Sequence, residues 1–202
     1  MNQILAENLP ISSEQYLDGE LEAETKHEYI DGEVNAMAGA GDAHAAVSGN
    51  AFALIKSHLR GSGCRTYFAD MKVRIGKDEA FFYPDVMVCC DPTDQLPEQN
   101  YVKNSPKLII EVLSPSTENK DRGKKFILYR KLPSLEEYVL IDPREYYVEM
   151  YRRQADKQWM LFSHEGAESL LEFASIGLRC TLVDLYEDVI FGNDSTEIDK
   201  NL

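Results

Sequence analysis

A chain of 202 residues with 44% hydrophobic and 28% charged residues has the composition of one globular domain. Its net charge of −14 excludes a uniformly basic surface, which is the usual electrostatic footprint of a nucleic-acid-binding protein. No apolar run approaches the roughly 18 residues needed to span a bilayer, so no membrane-spanning helix is expected. Because the first residues also lack the basic and apolar regions of a secretory signal, we expect a cytoplasmic protein.

The acidic excess lies at the two ends of the chain. Residues 1–33 sum to −8 and residues 184–202 sum to −5, so the 150 residues between them sum to −1. Within that middle part, residues 120–131 hold six basic residues against one acidic residue. The total charge therefore argues less strongly against a nucleic-acid substrate, because phosphate binding depends on local positive charge.

Turn and capping residues predict the elements of the first third of the chain. Ser12 opens a capping-box pattern, which predicts a helix over residues 12–24. Asp31-Gly32 between two short apolar runs predicts a β-hairpin over residues 27–37. A second helix is predicted over residues 43–59 from its apolar periodicity.

The remaining two thirds alternate between strands and one further helix. Strands are predicted over residues 64–68, 71–75, 81–89, 108–113, 137–141, 147–152 and 159–163. The run 108–113 is apolar on both faces except at Glu111, as is typical of a central strand, and a helix is predicted after it over residues 118–131. This order predicts an α/β or α+β fold in which helices flank a mixed central β-sheet. We expect one domain over residues 1–191 and an acidic, frayed tail over 192–202.

The four cysteines do not form a recognisable cluster in the sequence. Cys64, Cys89, Cys90 and Cys180 include no Cys-x-x-Cys pair, and the adjacent Cys89 and Cys90 should point to opposite faces of an extended segment. Neither a structural zinc site nor a disulfide framework is expected from this spacing. We predict buried free thiols.

Two acidic residues interrupt apolar runs. Glu111 lies in the middle of residues 108–113, and burial of an unpaired carboxylate is costly. It therefore pairs with a buried basic residue, faces solvent at the strand end, or serves a functional site. Asp85 lies in the apolar run 81–88, where the alternative is a turn residue after Pro84.

Two carboxylates on neighbouring strands favour a divalent cation between them. Mg²⁺ takes oxygen ligands and is often held by one or two carboxylates, with water and phosphate completing its octahedron. Such an ion lowers the pKa of a bound water and stabilises negative charge on a phosphate. We therefore predict that Asp85 and Glu111 are ligands of Mg²⁺, with Mn²⁺ as the alternative ion.

The order of these motifs resembles the PD-(D/E)XK restriction-endonuclease-like superfamily. Within it, the chain is most similar to a bacterial family of proposed restriction endonucleases, over about residues 12–190. The matching features are the predicted helix over residues 12–24, residues 28–33, His44, Pro84-Asp85, residues 110–117 and residues 121–129. The resemblance implies a restriction-endonuclease-like fold and metal-dependent hydrolysis of DNA.

The resemblance also identifies a candidate catalytic lysine. The superfamily pattern has a lysine two residues after the second acid, but Leu113 occupies that position here. In the closer family the lysine has moved to the following helix, four residues after an aspartate, which corresponds to Lys125 after Asp121. Lys124 is the neighbouring alternative, and an ordinary ion pair between Asp121 and Lys125 on one helix face is the structural one.

Two residues nearer the N-terminus match the family less specifically. Glu28 corresponds to an early glutamate that can lie near the metal in this superfamily, and we include it among the catalytic residues. A solvated position in the hairpin is its alternative. His44 matches a family histidine, but a histidine at the start of a helix is more often a capping or surface group, so its role stays open.

Three functions are compared on this basis. The first is a divalent-metal-dependent endonuclease that hydrolyses DNA phosphodiester bonds through Asp85, Glu111, Lys125 and Glu28. The second is an inactive relative that binds nucleic acid or protein, which the acidic ends and Leu113 favour. A phosphohydrolase of small substrates ranks last, because the sequence has no glycine-rich nucleotide-binding loop. A homodimer is expected, since cleavage of both DNA strands together needs two active sites.

Overall fold

The computed structural model describes residues 10–191. Its α-helices are α1 (Ser13–Glu22), α2 (Asp42–His58), α3 (Glu118–Lys120), α4 (Phe126–Tyr129) and α5 (Leu182–Leu185). Its strands are β1 (His27–Ile30), β2 (Glu33–Ala36), β3 (Arg65–Phe68), β4 (Lys72–Ile75), β5 (Ala80–Phe82), β6 (Val86–Cys89), β7 (Val102–Lys103), β8 (Pro106–Val112), β9 (Glu137–Asp142), β10 (Tyr147–Arg153), β11 (Trp159–Glu165), β12 (Leu170–Phe173) and β13 (Leu178–Thr181). The predicted acidic tail lies outside the described residues.

The strands form two larger sheets and one small hairpin. One sheet has the order β2-β1-β5-β4-β7, the second has the order β11-β10-β9-β8-β6-β3, and β12 pairs with β13. In the six-stranded sheet β8 is parallel to β9 and antiparallel to β6. The mixture of helices with a mixed sheet confirms the predicted fold class, and β8 has the interior position that its apolar sequence predicted.

The six-stranded sheet has apolar packing on both faces. On one face, alternate residues of β8, namely Leu108, Ile110 and Val112, pack in a cluster with helix α2. On the other face, Ile109 and the following Leu113 pack with helix α4 and with strands of the five-stranded sheet. Because side chains alternate along a strand, Glu111 shares the second face with Ile109 and Leu113. Its carboxylate is therefore directed into the space between the two sheets and helix α4.

Residues 81–89 form two strands rather than the single strand that we predicted. β5 belongs to the five-stranded sheet and β6 to the six-stranded sheet, and the chain crosses between them at Tyr83-Pro84-Asp85. Pro84 has no N–H to donate to a strand ladder, so a strand ends there readily. The prediction was wrong because both halves share one apolar pattern, and this pattern does not report which sheet accepts each half.

The predicted helix over residues 118–131 is present but irregular. Between α3 and α4, residues Asp121–Lys125 form a π-helical segment. A π-helical turn contains one residue more than an α-turn, and such turns are frequent at functional sites. Compared with a regular α-helix, this segment rotates the side chains that follow Asp121 about the helix axis.

The N-terminal elements agree with their turn and capping signals. Ser12 Oγ accepts a hydrogen bond from the Gln15 N–H at 3.1 Å, and Gln15 Oε1 accepts one from the Ser12 N–H at 2.9 Å. The hairpin turn has positive φ at Asp31 (48°) and Gly32 (92°). A Cβ at position 32 would lie 2.4 Å from Pro10 Cβ, so glycine is required there for space as well as conformation.

The prediction of free thiols was wrong for two of the four cysteines. Cys64 and Cys90 form a disulfide, while Cys89 and Cys180 are free and buried. The antiparallel register pairs Arg65 of β3 with Cys89 of β6, so Cys64 and Cys90 are the next residues at that end of the strand pair. A spacing rule cannot find this pair, because only strand register brings the two cysteines together. Among the described residues, no helix has the length and hydropathy to cross a membrane.

Candidate active site

Glu111 is buried at the centre of a polar cluster between the two larger sheets. Glu111 is 4% exposed, and its Oε1 accepts hydrogen bonds from Lys125 Nζ at 3.1 Å and from the Tyr129 hydroxyl at 2.8 Å. Burial raises the pKa of Glu111 to about 8, and the negative charges of Asp121, Asp85 and Glu28 act in the same direction against the opposing charge of Lys125. The pKa of this carboxyl is therefore well above that of an ordinary glutamate.

Lys125 lies on the π-helical segment and is surrounded by carboxylates. Its Nζ is 2.8 Å from Glu28 Oε1, 3.1 Å from Glu111 Oε1 and 3.1 Å from Asp121 Oδ1, and its side chain is 5% exposed. Burial opposes the charged ammonium, but the charges of Glu111, Glu28 and Asp121 raise the pKa of Lys125 well above its ordinary value. Lys124 is exposed, so Lys125 is the member of the predicted pair that reaches this cluster.

Glu28 joins the cluster from strand β1 of the five-stranded sheet. It is 6% exposed and forms ion pairs with Lys125 and with Lys120. Burial opposes ionisation of Glu28, but the charge of Lys125 and hydrogen bonds from Lys120 and Lys125 lower its pKa below the ordinary value. Glu28 is therefore a buried ionised group, in contrast to the alternative of a solvated hairpin residue.

Asp85 occupies the bend at which the chain enters strand β6. Its Oδ2 accepts a hydrogen bond from the Val112 N–H at 2.7 Å, and its side chain is 21% exposed. Val86 of β6 pairs with Ile110 of β8 in antiparallel register, so the bend at Asp85 lies next to the Glu111–Val112 end of β8. The negative charge of Asp85 acts on Glu111 and raises its pKa. Asp85 thus lies near Glu111, although it precedes strand β6 instead of lying within it.

His44 approaches the same group from helix α2. Its Nε2 lies 3.4 Å from Asp85 Oδ2, and its side chain is 18% exposed. Burial lowers the pKa of His44, but the hydrogen bond and charge of Asp85 raise it above the ordinary value overall. The side chain is directed at Asp85, which excludes the predicted alternative of an ordinary surface histidine.

Asp85 and Glu111 keep carboxylate oxygens that are free to contact a divalent cation. Asp85 and Glu111 each use one carboxylate oxygen for the hydrogen bonds given above, which leaves Asp85 Oδ1 and Glu111 Oε2 without a protein donor among residues 10–191. Within the same residues no group of three or more histidine, cysteine, aspartate or glutamate side chains is placed to hold a metal ion. Mg²⁺ is commonly held by only one or two carboxylates, with water and phosphate as its other ligands. The arrangement is chemically compatible with such an ion.

Three polar residues of the cluster were not among the predicted site residues. Tyr129 donates to Glu111, Asp121 contacts Lys125, and Lys120 pairs with Glu28. Asp121 Oδ1 lies within ionic contact of Lys125 but accepts no hydrogen bond. The spacing of four residues from Asp121 to Lys125 and again to Tyr129 is a signal that sequence analysis could have used for Tyr129.

Comparisons with known proteins agree with this architecture. The family described as "Uma2: Putative restriction endonuclease" matches residues 13–182. Two uncharacterized proteins of Synechocystis sp. are 36% and 34% identical to the chain, over 90% and 85% of its length and over 94% and 97% of their own. A crystal structure from Anabaena variabilis, described as a putative nuclease of the DUF820 family, superposes with a TM-score of 0.74. It is 23% identical and the match covers 88% of this chain and 98% of that one, which establishes a common fold.

Proposed function

The chain belongs to the Uma2 family of restriction-endonuclease-like proteins, and from this premise we propose that it is a divalent-metal-dependent endonuclease that hydrolyses DNA phosphodiester bonds. The observation that carries the proposal is the buried Lys125 ammonium among Glu28, Glu111 and Asp121, together with the partly exposed Asp85, whose negative charge raises the pKa of Glu111. A cluster of perturbed ionisable groups at a junction of elements is typical of a catalytic site.

Each residue has a distinct part in the proposed chemistry. Asp85 and Glu111 would hold Mg²⁺ or Mn²⁺ through their free oxygens, and the ion would supply Lewis-acid stabilisation of the phosphate and acidify water. Lys125 keeps its Nζ protonated, because three carboxylates surround it, and its charge can stabilise the negative charge that develops on a phosphate. Glu28 and Tyr129 hold Lys125 and Glu111 in position through the hydrogen bonds that they form.

The basic residues of the helical region support a nucleic-acid substrate. Residues 120–131 contain six basic side chains. Lys124 and Arg130 are exposed, whereas Lys120 and Lys125 are turned towards the carboxylates of the site. The exposed members can neutralise phosphates on either side of a scissile bond without weakening the buried cluster.

The second candidate function is a binding module without catalytic activity. One observation favours it: the charge of Lys125 is already balanced by buried carboxylates, as in a structural ion-pair cluster. In such a cluster, removal of one carboxylate leaves a buried cation with fewer partners and destabilises the fold. If the protein is an endonuclease, Asp85 is instead required for activity. This requirement holds even where the stability of the fold does not depend on the negative charge of Asp85.

Plasmid cleavage separates the two functions. Supercoiled DNA is incubated with the wild type in Mg²⁺, in Mn²⁺ and in EDTA, and in parallel with Asp85→Asn and with the surface control Glu168→Gln. The proposal expects nicked or linear DNA from the wild type and the control only in the presence of a divalent ion. Cleavage that persists in EDTA or in Asp85→Asn contradicts it, and RNA of matched length tests the choice of nucleic acid.

Two further parts of the proposal concern assembly and location. A homodimer would bring two active sites to the two strands of one duplex, and a monomeric mass by light scattering at micromolar concentration would contradict it.

The proposed location is the cytoplasm, where DNA is accessible. The Cys64–Cys90 disulfide is unusual there, because reducing systems keep most cytosolic thiols reduced. Alkylation of thiols in intact cells before lysis tests the oxidation state directly.

A further inference from the structure

A cavity of about 530 Å³ lies beside helix α4 and the β10–β11 hairpin, and none of the four predicted catalytic residues lines it. Aromatic and basic side chains dominate its lining: Phe126, Tyr151 and Trp159 with Arg130, Lys131 and Lys157. A second cavity of about 530 Å³ shares Trp159 and Gln158 with the first. The indole of Trp159 therefore borders two adjoining cavities.

The aromatic side chains of the cavity are held in fixed positions. The Phe126 and Tyr151 rings are 4.2 Å apart, and Trp159 packs edge-on to Phe126 at 5.6 Å. The Arg153 guanidinium lies 4.9 Å from the Trp159 ring, and its Nη2 donates to the backbone carbonyls of Arg130 and Leu132. These contacts tie the β10–β11 hairpin to the end of helix α4. The aromatic group of Phe126, Tyr151 and Trp159, called the Trp159 platform below, is therefore in place before any ligand binds.

The cavity also carries positive charge that the protein does not neutralise. Within residues 10–191, Arg130, Arg153 and Lys157 form no ion pair with a carboxylate, whereas Lys131 pairs with Glu79. Asp156 is the one carboxylate among the residues that line the two cavities, and it accepts a hydrogen bond from the Gln158 N–H. In a chain with a net charge of −14, such a local cationic excess favours an anionic ligand.

We propose that this cavity is a nucleotide-binding pocket, in which an unpaired base of a nucleic-acid strand stacks on the Trp159 platform while its phosphates contact Arg130 and Lys157. Stacking on aromatic side chains combined with cationic contacts to the backbone is the common physical basis of single-strand binding. The pocket and the active site share one helical region, because Phe126 follows Lys125 directly in the chain. The inference rests on the proposed nuclease function and specifies its substrate: DNA with an unpaired segment next to the scissile bond.

The single tryptophan of the chain provides a direct probe of this pocket. Intrinsic fluorescence is titrated with a short oligothymidylate in EDTA, so that no cleavage occurs, and binding is measured in parallel by anisotropy of the labelled oligonucleotide. We expect saturable quenching of Trp159 that follows the anisotropy curve. Trp159→Ala should weaken binding about tenfold, since one base–aromatic stack accounts for that order of affinity. Trp159→Phe should recover most of the loss.

Matched controls separate a pocket from general electrostatic attraction. Tyr101→Ala removes an exposed aromatic side chain outside both cavities, and Arg60→Gln removes an exposed charge elsewhere. Both should bind like the wild type, whereas Arg130→Gln should bind more weakly and with a smaller dependence on salt. Melting curves of each variant verify that it is folded.

Several results would overturn the inference. They are an absence of oligonucleotide binding, binding without quenching of Trp159, and equal affinity of Trp159→Ala and the wild type. Equal quenching by free thymidine monophosphate would identify a small-molecule site, and displacement by an acidic peptide would identify a protein-binding site. Binding in EDTA does not depend on cleavage. Quenching without nuclease activity would therefore support the pocket and contradict the proposed function. Cleavage of duplex DNA without quenching would support the proposed function and contradict the pocket.

Discussion

The Lys125 ammonium lies 3.1 Å from Glu111 Oε1, and both side chains are 5% exposed. The two residues reach each other from a π-helical segment and a central strand, and the carboxylates of Glu28 and Asp121 complete the surroundings of the ammonium. A buried cation with three carboxylate neighbours is both a structural unit and a catalytic candidate. Substitutions at Lys125, Asp85 and Glu111 separate these two roles.

The first prediction concerns the choice of lysine. Lys125→Met should abolish DNA cleavage and lower the free energy of unfolding by about 3–5 kcal/mol, because it leaves buried carboxylates without their cation. Lys124→Met, one residue earlier and exposed, should change stability by less than about 0.5 kcal/mol and retain cleavage. Urea denaturation and plasmid assays on both variants provide the comparison. Full activity in Lys125→Met together with a loss in Lys124→Met would reverse the assignment.

The second prediction concerns Asp85. Asparagine can still accept the Val112 N–H through its amide oxygen, so Asp85→Asn should preserve the bend before β6 and melt within a few degrees of the wild type. Its cleavage rate should fall by at least about a hundredfold, because the variant removes a negatively charged ligand. Retained cleavage at unchanged metal concentration would remove Asp85 from the active site.

The third prediction concerns pH and Glu111 in the metal-free protein. Its folded-state pKa of about 8 lies above the ordinary 4.5, so the folded state binds more protons than the unfolded state between these values. The free energy of unfolding should therefore decrease as pH rises through this window. His44, whose pKa is also raised, acts in the same direction, and its contribution is lost as pH rises through its folded-state pKa.

Glu111→Gln isolates the contribution of the carboxylate. Glutamine keeps an acceptor for Lys125 and Tyr129 but does not titrate, so the variant should show a flatter dependence of stability on pH from about 5 to 8 in EDTA. The lowered pKa of Glu28 acts outside this window: its stabilisation is present above its ordinary value and is lost at more acidic pH. Identical pH profiles of wild type and Glu111→Gln would show that Glu111 is not the titrating group.

The fourth prediction concerns metal binding. A divalent ion that binds only the folded state at a concentration of 100 Kd should stabilise the wild type by about 2.7 kcal/mol, or several degrees in Tm. Asp85→Asn and Glu111→Gln should lose this shift. Glu168→Gln, which removes an exposed carboxylate, should keep it. Calorimetry with Mg²⁺ and with EDTA measures the difference. A shift of equal size in all four proteins would indicate non-specific ion binding.

The fifth prediction concerns the disulfide. Cys64 and Cys90 are separated by 26 residues, and closure of such a loop stabilises the folded state by about 3.5 kcal/mol in the chain-entropy treatment. Reduction should therefore lower Tm, and a Cys64→Ser variant should melt at the reduced value with or without reductant. Thiol titration in non-reducing denaturant should find only Cys89 and Cys180, both buried in the native protein.

Local patterns were sufficient for most of the secondary structure. The capping box at Ser12 and the Asp31-Gly32 turn depend on contacts within a few residues, and the strand around Glu111 is marked by a local run of apolar residues. All three are present in the structure. The mixed fold class follows from the same elements in order. Sequence patterns failed at Tyr83-Pro84-Asp85, because the division of one apolar run between two sheets is decided by packing partners far along the chain.

The sequence by itself determined the fold class, the identity of the acidic residues that interrupt apolar runs, and the family to which the chain belongs. Only the tertiary structure decided which lysine is buried with Glu111, that Tyr129 donates to it, and that Cys64 pairs with Cys90. The physical reason is the same for all three. Strand register and the rotation of the π-helical segment set these distances, and both depend on long-range packing that no local spacing records.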